Sequence, residues 1–429
     1  MSTVILNPTT PSTDIPNQNV DNGGRTVKAT PGADSIQGSV GSDDISTLED
    51  DDLVAAGPGN DKVSLGTGDD IATGGADNDD LQGNQGNDSI DGGEGNDTVR
   101  GGKNQDTVKG GVGEDEVYGG QGDDSVSGGG NDDFVQGNAG NDLVEGDAGN
   151  DTVRGGKGED TVKGGEGSDR VYGGLENDTV SGGENNDFVQ GNAGDDLVEG
   201  DAGNDTVRGG KGDDTVKGGE GNDSVYGGLG DDTVSGGGGN DSVYGGLGDD
   251  TVSGRGGNDF VQGNAGNDLV EGGAGENTLR GGKDQDTLIG GQNSDSLYGG
   301  KGNDSLTGGA GADGFYLGFD QDGSFGVDTL TDFNRIEEDK ILLSSEGFRA
   351  LADTLTAGNN LPADEFAVIS NFDPQSEGNN QAAIIYDPVN GSIYYDPKSP
   401  LNDAVKIAQV DKNTFDVNNP LEDTDFEIF

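Results

Sequence analysis

The sequence predicts an all-β solenoid of parallel strands, closed by a small β-rich cap at its C-terminal end. Three observations carry that expectation. Residues 29–316 divide into 32 consecutive nine-residue windows without an insertion or deletion. The sixth residue of each window is Asp, from Asp34 to Asp313, with Asn277 the one exception. The eighth is always apolar: Ile36, Ile45 and Val54 early, Val99 to Val270 through the middle, Leu279 to Phe315 late, with Ala72 the smallest. A fixed period of this kind is the mark of stacked structural repeats.

Each part of a window has a physical reason. The Gly-rich half suits tight turns with positive φ and close approach of main chain. The last three residues are extended, so the eighth points to one side while the seventh and ninth point to the other. Turn, strand, turn and strand make an 18-residue coil with two parallel sheets facing each other across the aliphatic eighth residues. That core is thin, and it explains how a chain of 429 residues with only 28% hydrophobic content can fold.

Composition sets the chemistry. Acids outnumber bases 84 to 23, for a formal net charge of −61, and there is no Cys, His or Trp. No Ser-His-Asp or Cys-His pair and no imidazole or thiolate metal site can be built. Such a charge repels nucleic acid and anionic lipid and calls for cations. Carboxylates and carbonyls set among Gly and Asn are hard oxygen donors, the set calcium prefers. The candidate ligands are the sixth-position carboxylates Asp88, Asp97, Asp115, Asp124, Asp142, Asp151, Asp160, Asp169, Asp196, Asp205, Asp214, Asp223, Asp232, Asp241, Asp250, Asp259, Asp268, Asp304 and Asp313. On the order of thirty inter-turn ions would carry roughly +60, close to the charge of the chain. Without them the Asp ladders repel, so the metal-free chain is expected to be unfolded and calcium binding and folding to be one event.

Many windows read GGxGxDxUx in full, with U apolar, for example GGEGNDTVR ending at Arg100 and GGKGDDTVK ending at Lys217. This nonapeptide is a known calcium-binding β-helix unit, and the array resembles the RTX, or haemolysin-type, repeat proteins. The resemblance implies a right-handed parallel β-roll, with calcium held between successive turns by main-chain carbonyls and sixth-position Asp side chains. Departures fall mainly at the fourth Gly, as in GGKNQDTVK, GGLENDTVS, GGENNDFVQ and GGQNSDSLY, and at the second, as in GNAGND and GDAGND. Weaker or altered sites are expected there, and Asn277 loses a carboxylate.

A longer period lies over the first. Residues 96–149 and 150–203 are near-copies of 54 residues, and 204–275 is a third copy lengthened by an 18-residue duplication. These lengths are whole coils, so no duplication exchanges the faces. One face therefore collects Arg100, Tyr118, Phe134, Arg154, Tyr172, Phe188, Arg208, Tyr226, Tyr244 and Phe260, while the other repeats Lys109, Ser127, Glu145. An aromatic and Arg stripe suits polysaccharide binding or lateral self-packing. It equally suits a stacked ladder copied by duplication.

Residues 1–28 are read as a polar N-terminal segment that helps to cap the roll of 29–316. They lack the basic and apolar stretches of a secretory signal peptide, so the expectation is a cytosolic protein or an export route that ignores the N-terminus. Nothing approaches the length of a membrane span. From 317 to 429 the runs FYLGF, DTLTDFN, DKILLSS, FAVIS, AAIIYDP, SIYYDP and VKIAQV read as strands, with a short helix expected around residues 345–353. This region is read as a cap over the open end of the solenoid, and Asp320, Asp322, Asp328 and Asp332 as a last calcium site. Asp425, Phe426, Glu427, Ile428 and Phe429 resemble the C-terminal signals of RTX proteins exported through type I channels, which implies that channel as a partner in transit. They also fit a final edge strand of the cap. The expectation is a non-enzymatic, extracellular calcium-binding structural protein at or near the cell surface; the alternatives are a surface-layer component or a polysaccharide-binding module.

Overall fold

A computed structural model of the chain describes residues 2–5, 24–318, 326–343, 366–368, 384–395, 404–411 and 421–428. The helix expected around 345–353, with Asp320, Asp322 and Phe429, lies outside them. The chain forms two compact units, Met1–Gly219 and Glu220–Phe429.

In each unit alternate strands build one of two parallel sheets. Sheet A of the first unit includes Thr98–Lys103, Glu116–Gln121, Phe134–Ala139 and Thr152–Lys157. Sheet B includes Thr107–Val112, Ser125–Gly130, Leu143–Ala148 and Thr161–Glu166. Paired strand residues lie 18 positions apart, so Val99, Val117, Val135 and Val153 form one column and Val108, Val126, Val144 and Val162 another. The second unit repeats the arrangement, with Val243, Val261, Leu279 and Leu297 in sheet A. These eighth-position side chains are buried throughout, and they are the core.

The strands are twice as long as the window pattern suggests. From Ile71 on, the strands of the regular coils run from the seventh residue through the third of the next window, as in Thr98–Lys103, leaving only a short turn before the next strand. Two residues of each strand face inward, the apolar eighth and the Gly at position one. The Gly at position two then has positive φ, +127° at Gly102, which re-aims the chain into the turn. Where Asn or Asp stands in that place, as at Asn84, Asn138, Asp147 and Asn192, or at position four, as at Asn104, Asn185 and Asn293, φ stays positive. These two residue types tolerate the left-handed region best after Gly, so the departures from the motif keep the backbone of the turn. Glu176 and Arg255 adopt it too, at φ 73° and 76°, without that advantage.

The N-terminal strand Ser2–Ile5 pairs in parallel with Arg25–Lys28. The first windows also differ inside: Ala29, Thr47, Ala56 and Leu65 replace Gly at position one, and their side chains are buried, thickening the core there. At the other end all seven expected runs contain strands. Lys340–Leu343 adds to sheet A beside Gly314–Leu317, and Phe426–Ile428 adds beside Lys340–Leu343. Asp328–Leu330 joins sheet B beside Ser305–Ala310, then pairs with Val405–Val410. The antiparallel strands Ile384–Asp387 and Ser392–Tyr395 follow. The aromatic and aliphatic residues of this region, among them Phe333, Tyr386 and Phe426, are buried.

Position one admits no side chain in the regular coils. A Cβ on Gly101 would lie 2.5 Å from Asp106 Oδ2 and 2.6 Å from the Gly119 carbonyl oxygen, whereas one on Gly130 would meet nothing within 4 Å. Gly101→Ala is therefore expected to destabilise the calcium-loaded protein by about 1–3 kcal/mol. Gly130→Ala should change it by less than about 0.5 kcal/mol. Thermal unfolding of both variants in saturating calcium checks the contrast.

Candidate metal centre

Each sixth-position Asp ends a turn and starts a strand, and its side chain turns inward against the coil before it. Its Oδ1 accepts the backbone N–H of the Asp 18 residues earlier: Asp88 N–H donates to Asp106 at 2.8 Å, Asp106 to Asp124 at 2.8 Å and Asp124 to Asp142 at 2.9 Å. The same bond recurs on the other edge from Asp79 to Asp97 and Asp97 to Asp115. The second oxygen is different. From Asp52 to Asp196, and at Asp241, Asp250, Asp259, Asp268, Asp286, Asp295 and Asp313, Oδ2 is buried and accepts no hydrogen bond.

A repeating column of buried carboxylate oxygens without donors is costly unless something positive stands beside it. Burial pushes the carboxyls of Asp133 and Asp178 up to about 8 and those of Asp79, Asp106, Asp124 and Asp151 to about 7. The N–H of the preceding coil partly offsets this, and the like charge of the neighbouring Asp in the ladder adds to it.

The oxygens have company of the right kind. Asp97 Oδ2 and the carbonyl oxygen of Gly110 both lie within 2.5 Å of the point where a Cβ of Gly92 would stand, and the same pair of contacts recurs at Gly101, Gly110 and Gly164. Position-one glycine thus keeps open a cradle bordered by carboxylate and carbonyl oxygen. No cluster of three or more acidic, His or Cys ligands occurs among the described residues. A site here would combine carboxylates with main-chain carbonyls. That all-oxygen set fits calcium, which accepts six to eight flexible oxygen ligands, better than magnesium, which demands a tight octahedron and sheds water reluctantly. The ion would supply positive charge to the ladder.

At the two ends protein donors meet the second oxygen instead. Asp34 Oδ2 accepts from the backbone N–H and hydroxyl of Thr30, at 2.8 and 3.0 Å, and Asp43 Oδ2 accepts from Ser39 in the same way. At the C-terminal end Asp328 and Asp339 extend the two ladders at spacings of 24 and 26 residues. Asp339 Oδ2 takes the N–H of Asn334, and Asp332 accepts from the N–H groups of both Gly308 and Gly309. The broken period kept Asp339 out of the sequence pattern. Asn277 is also self-sufficient: its Oδ1 accepts from Asp259 N–H, and its Nδ2 donates to the Gly275 carbonyl at 3.1 Å.

A second ladder escaped the sequence reading. Fifth-position Asn or Asp accepts the N–H of the fifth residue in the following coil, as from Gln105 to Asn87 and from Asn141 to Asp123. It therefore holds the stack in the opposite sense to its neighbour at position six. The signal was present, since 22 of the 32 windows carry Asn or Asp there.

The aromatic and Arg residues come together on sheet A and pack along it. The guanidinium of Arg154 lies between the rings of Phe134 and Tyr172, at 5.3 and 5.6 Å from their centroids. Tyr118 packs on Phe134 and Tyr172 on Phe188, while Arg100 and Arg208 stack on Tyr118 and Phe188. In the second unit Tyr226, Tyr244 and Phe260 form a comparable row, followed by Arg280. On sheet B, Lys163 and Lys217 pair with Glu145 and Glu199.

Parallel coils of 18 residues, joined by ladders of inward Asp with unpartnered oxygens, define a calcium-binding β-roll. The family model of the RTX calcium-binding nonapeptide repeat matches in overlapping segments that together run from residue 28 to residue 324. The chain belongs to that RTX repeat family. No curated protein matches it.

Two outcomes follow from the site. A carboxyl whose folded pKa lies above its unfolded value favours the fold below the unfolded pKa, near 4, and loses that contribution as pH rises through the folded pKa. The metal-free protein is therefore expected to hold more β-structure at pH 4–5 than at pH 8. Calcium should bind more tightly as pH rises through about 6 to 8, releasing protons. Circular dichroism in chelator and calcium titrations across this range check both directions. Separately, Asn277→Asp should raise the calcium content of gel-filtered protein, because it replaces a satisfied amide with a carboxylate.

Proposed function

We propose that the protein is an extracellular calcium-binding structural protein, exported unfolded through a type I channel and folded by calcium outside, at or near the cell surface. The observation that carries the reading is the column of buried Oδ2 atoms without donors. At low cytosolic calcium such a column opposes folding, which keeps the chain threadable. At about 10⁻⁴ to 10⁻³ M calcium outside, sites of modest affinity fill and the roll closes.

The C-terminal residues fit this sequence of events. Phe426–Ile428 forms the last strand of sheet A, with Phe426 buried. Arg335 grips Asp425 at 2.8 Å and Glu422 at 3.1 Å. A signal made of these residues is readable only before the cap folds, so export precedes folding. No catalytic role is assigned, because the carboxylates carry the period of the ladder. A second reading, polysaccharide recognition, is favoured by the lining of one groove and is developed below.

The test is circular dichroism with hydrodynamic radius on metal-free protein, titrated with calcium and separately with magnesium. A cooperative gain of β-structure with compaction at near-millimolar calcium, absent with magnesium, is expected. A chain already folded in chelator at neutral pH would overturn the reading. Growth into large particles in the same titration would turn it toward a surface lattice.

A further inference from the structure

The acidity of the chain has a local exception. In the first unit, a groove of about 830 Å³ runs along the edge of sheet A, between the ninth-position and third-position side chains. Acids make up 84 of the 429 residues, yet none lines this groove. Its floor includes Gly102, Gly120 and Gly156, all at positive φ. A Cβ on any of them would come within 2.5 Å of a carbonyl oxygen of the preceding coil. Asn84 and Asn138 hold the same place in neighbouring coils, so the floor combines bare glycine with side-chain amides.

Above the floor stand the amides of Gln82, Gln121, Gln136 and Asn138 and the ammonium groups of Lys103 and Lys157. The two lysines are 54 residues apart, three coils, or about 14 Å at the inter-strand spacing. Both are exposed, and among the described residues neither forms an ion pair. Lys163 on sheet B, by contrast, is held by Glu145 at 2.8 Å.

We propose that this groove binds a linear polysaccharide bearing carboxylates. Side-chain amides both donate and accept, which matches sugar hydroxyls, and the lysines supply charge-assisted bonds to carboxylates spaced along the chain. The groove crosses several coils and is open along its length, which suits a polymer. Two cations about 14 Å apart are too sparse for duplex nucleic acid, with a charge every ~1.7 Å of axis. The lining offers too few apolar side chains to anchor a peptide. Binding belongs to the calcium-loaded state, in which the ions offset the long-range repulsion of the chain. The inference needs the calcium-folded roll and is independent of the export route.

The experiment uses the full chain in saturating calcium and fluorescently labelled oligosaccharides of hyaluronate and of polygalacturonate, read by anisotropy. Binding to at least one is expected, with unlabelled neutral dextran failing to compete. Lys103→Gln with Lys157→Gln should weaken it about tenfold or more, the loss of one or two charged contacts. Lys109→Gln with Lys163→Gln makes the same charge change at the same spacing on sheet B and should leave it within about twofold, as a remote surface change does. No binding to either oligosaccharide, equal weakening by both pairs, or competition by dextran would each overturn the proposal. Circular dichroism of the same samples reports calcium-induced folding, so failure of the roll to fold is distinguished from a folded roll with an empty groove.

Discussion

The two oxygens of one buried carboxylate govern this protein. Oδ1 of a sixth-position Asp ties its coil to the backbone of the coil before, and in the coils from Asp52 to Asp196 Oδ2 is left inside without a donor. The first oxygen gives the stack its register and the second makes it dependent on a cation. In the regular coils position one is Gly, because a Cβ there would stand beside that second oxygen. The eighth position alone then supplies the core, one side chain per nine residues. A core so thin sets little burial against the chain entropy and the repulsion of stacked carboxylates, which ions between the coils would offset.

The ends of the array show the same constraint met by other means. Thr30 and Ser39 donate to the second oxygens of Asp34 and Asp43, and Asn334 donates to that of Asp339. Near both ends the core is also thicker, with Ala56 and Leu65 buried at one end and Phe333 and Phe426 at the other. Asn277 achieves the same neutrality at a single coil by donating to its own turn.

Because core and ladders use positions one, five, six and eight, the outward positions seven, nine and three are free to vary. Duplication in whole coils has kept their columns distinct. Sheet A carries Arg stacked on Tyr and Phe, and sheet B carries Lys paired with Glu. On sheet A the rings and guanidinium groups stack on one another along the sheet, as a cross-strand ladder does. The polar track beside it is lined by Gln, Asn and Lys side chains over a floor that is largely glycine.

By itself the sequence determined the architecture, because a rigid nine-residue period with one acid and one apolar residue has few folded solutions. The coil length, both sheets, the core column and the two faces were all legible, since each depends only on position within the window. So were the seven C-terminal strands, though not their partners. Tertiary structure alone decided the rest. The strands continue through the glycines because position-one Gly packs inward, a fact of contact between coils. Asp328 and Asp339 join the ladders although they break the period, because the cap brings them to the edge of the last coils. Above all, the two oxygens of one Asp differ only in what the coil before presents to them. Residue type cannot state that difference, and calcium dependence rests on it.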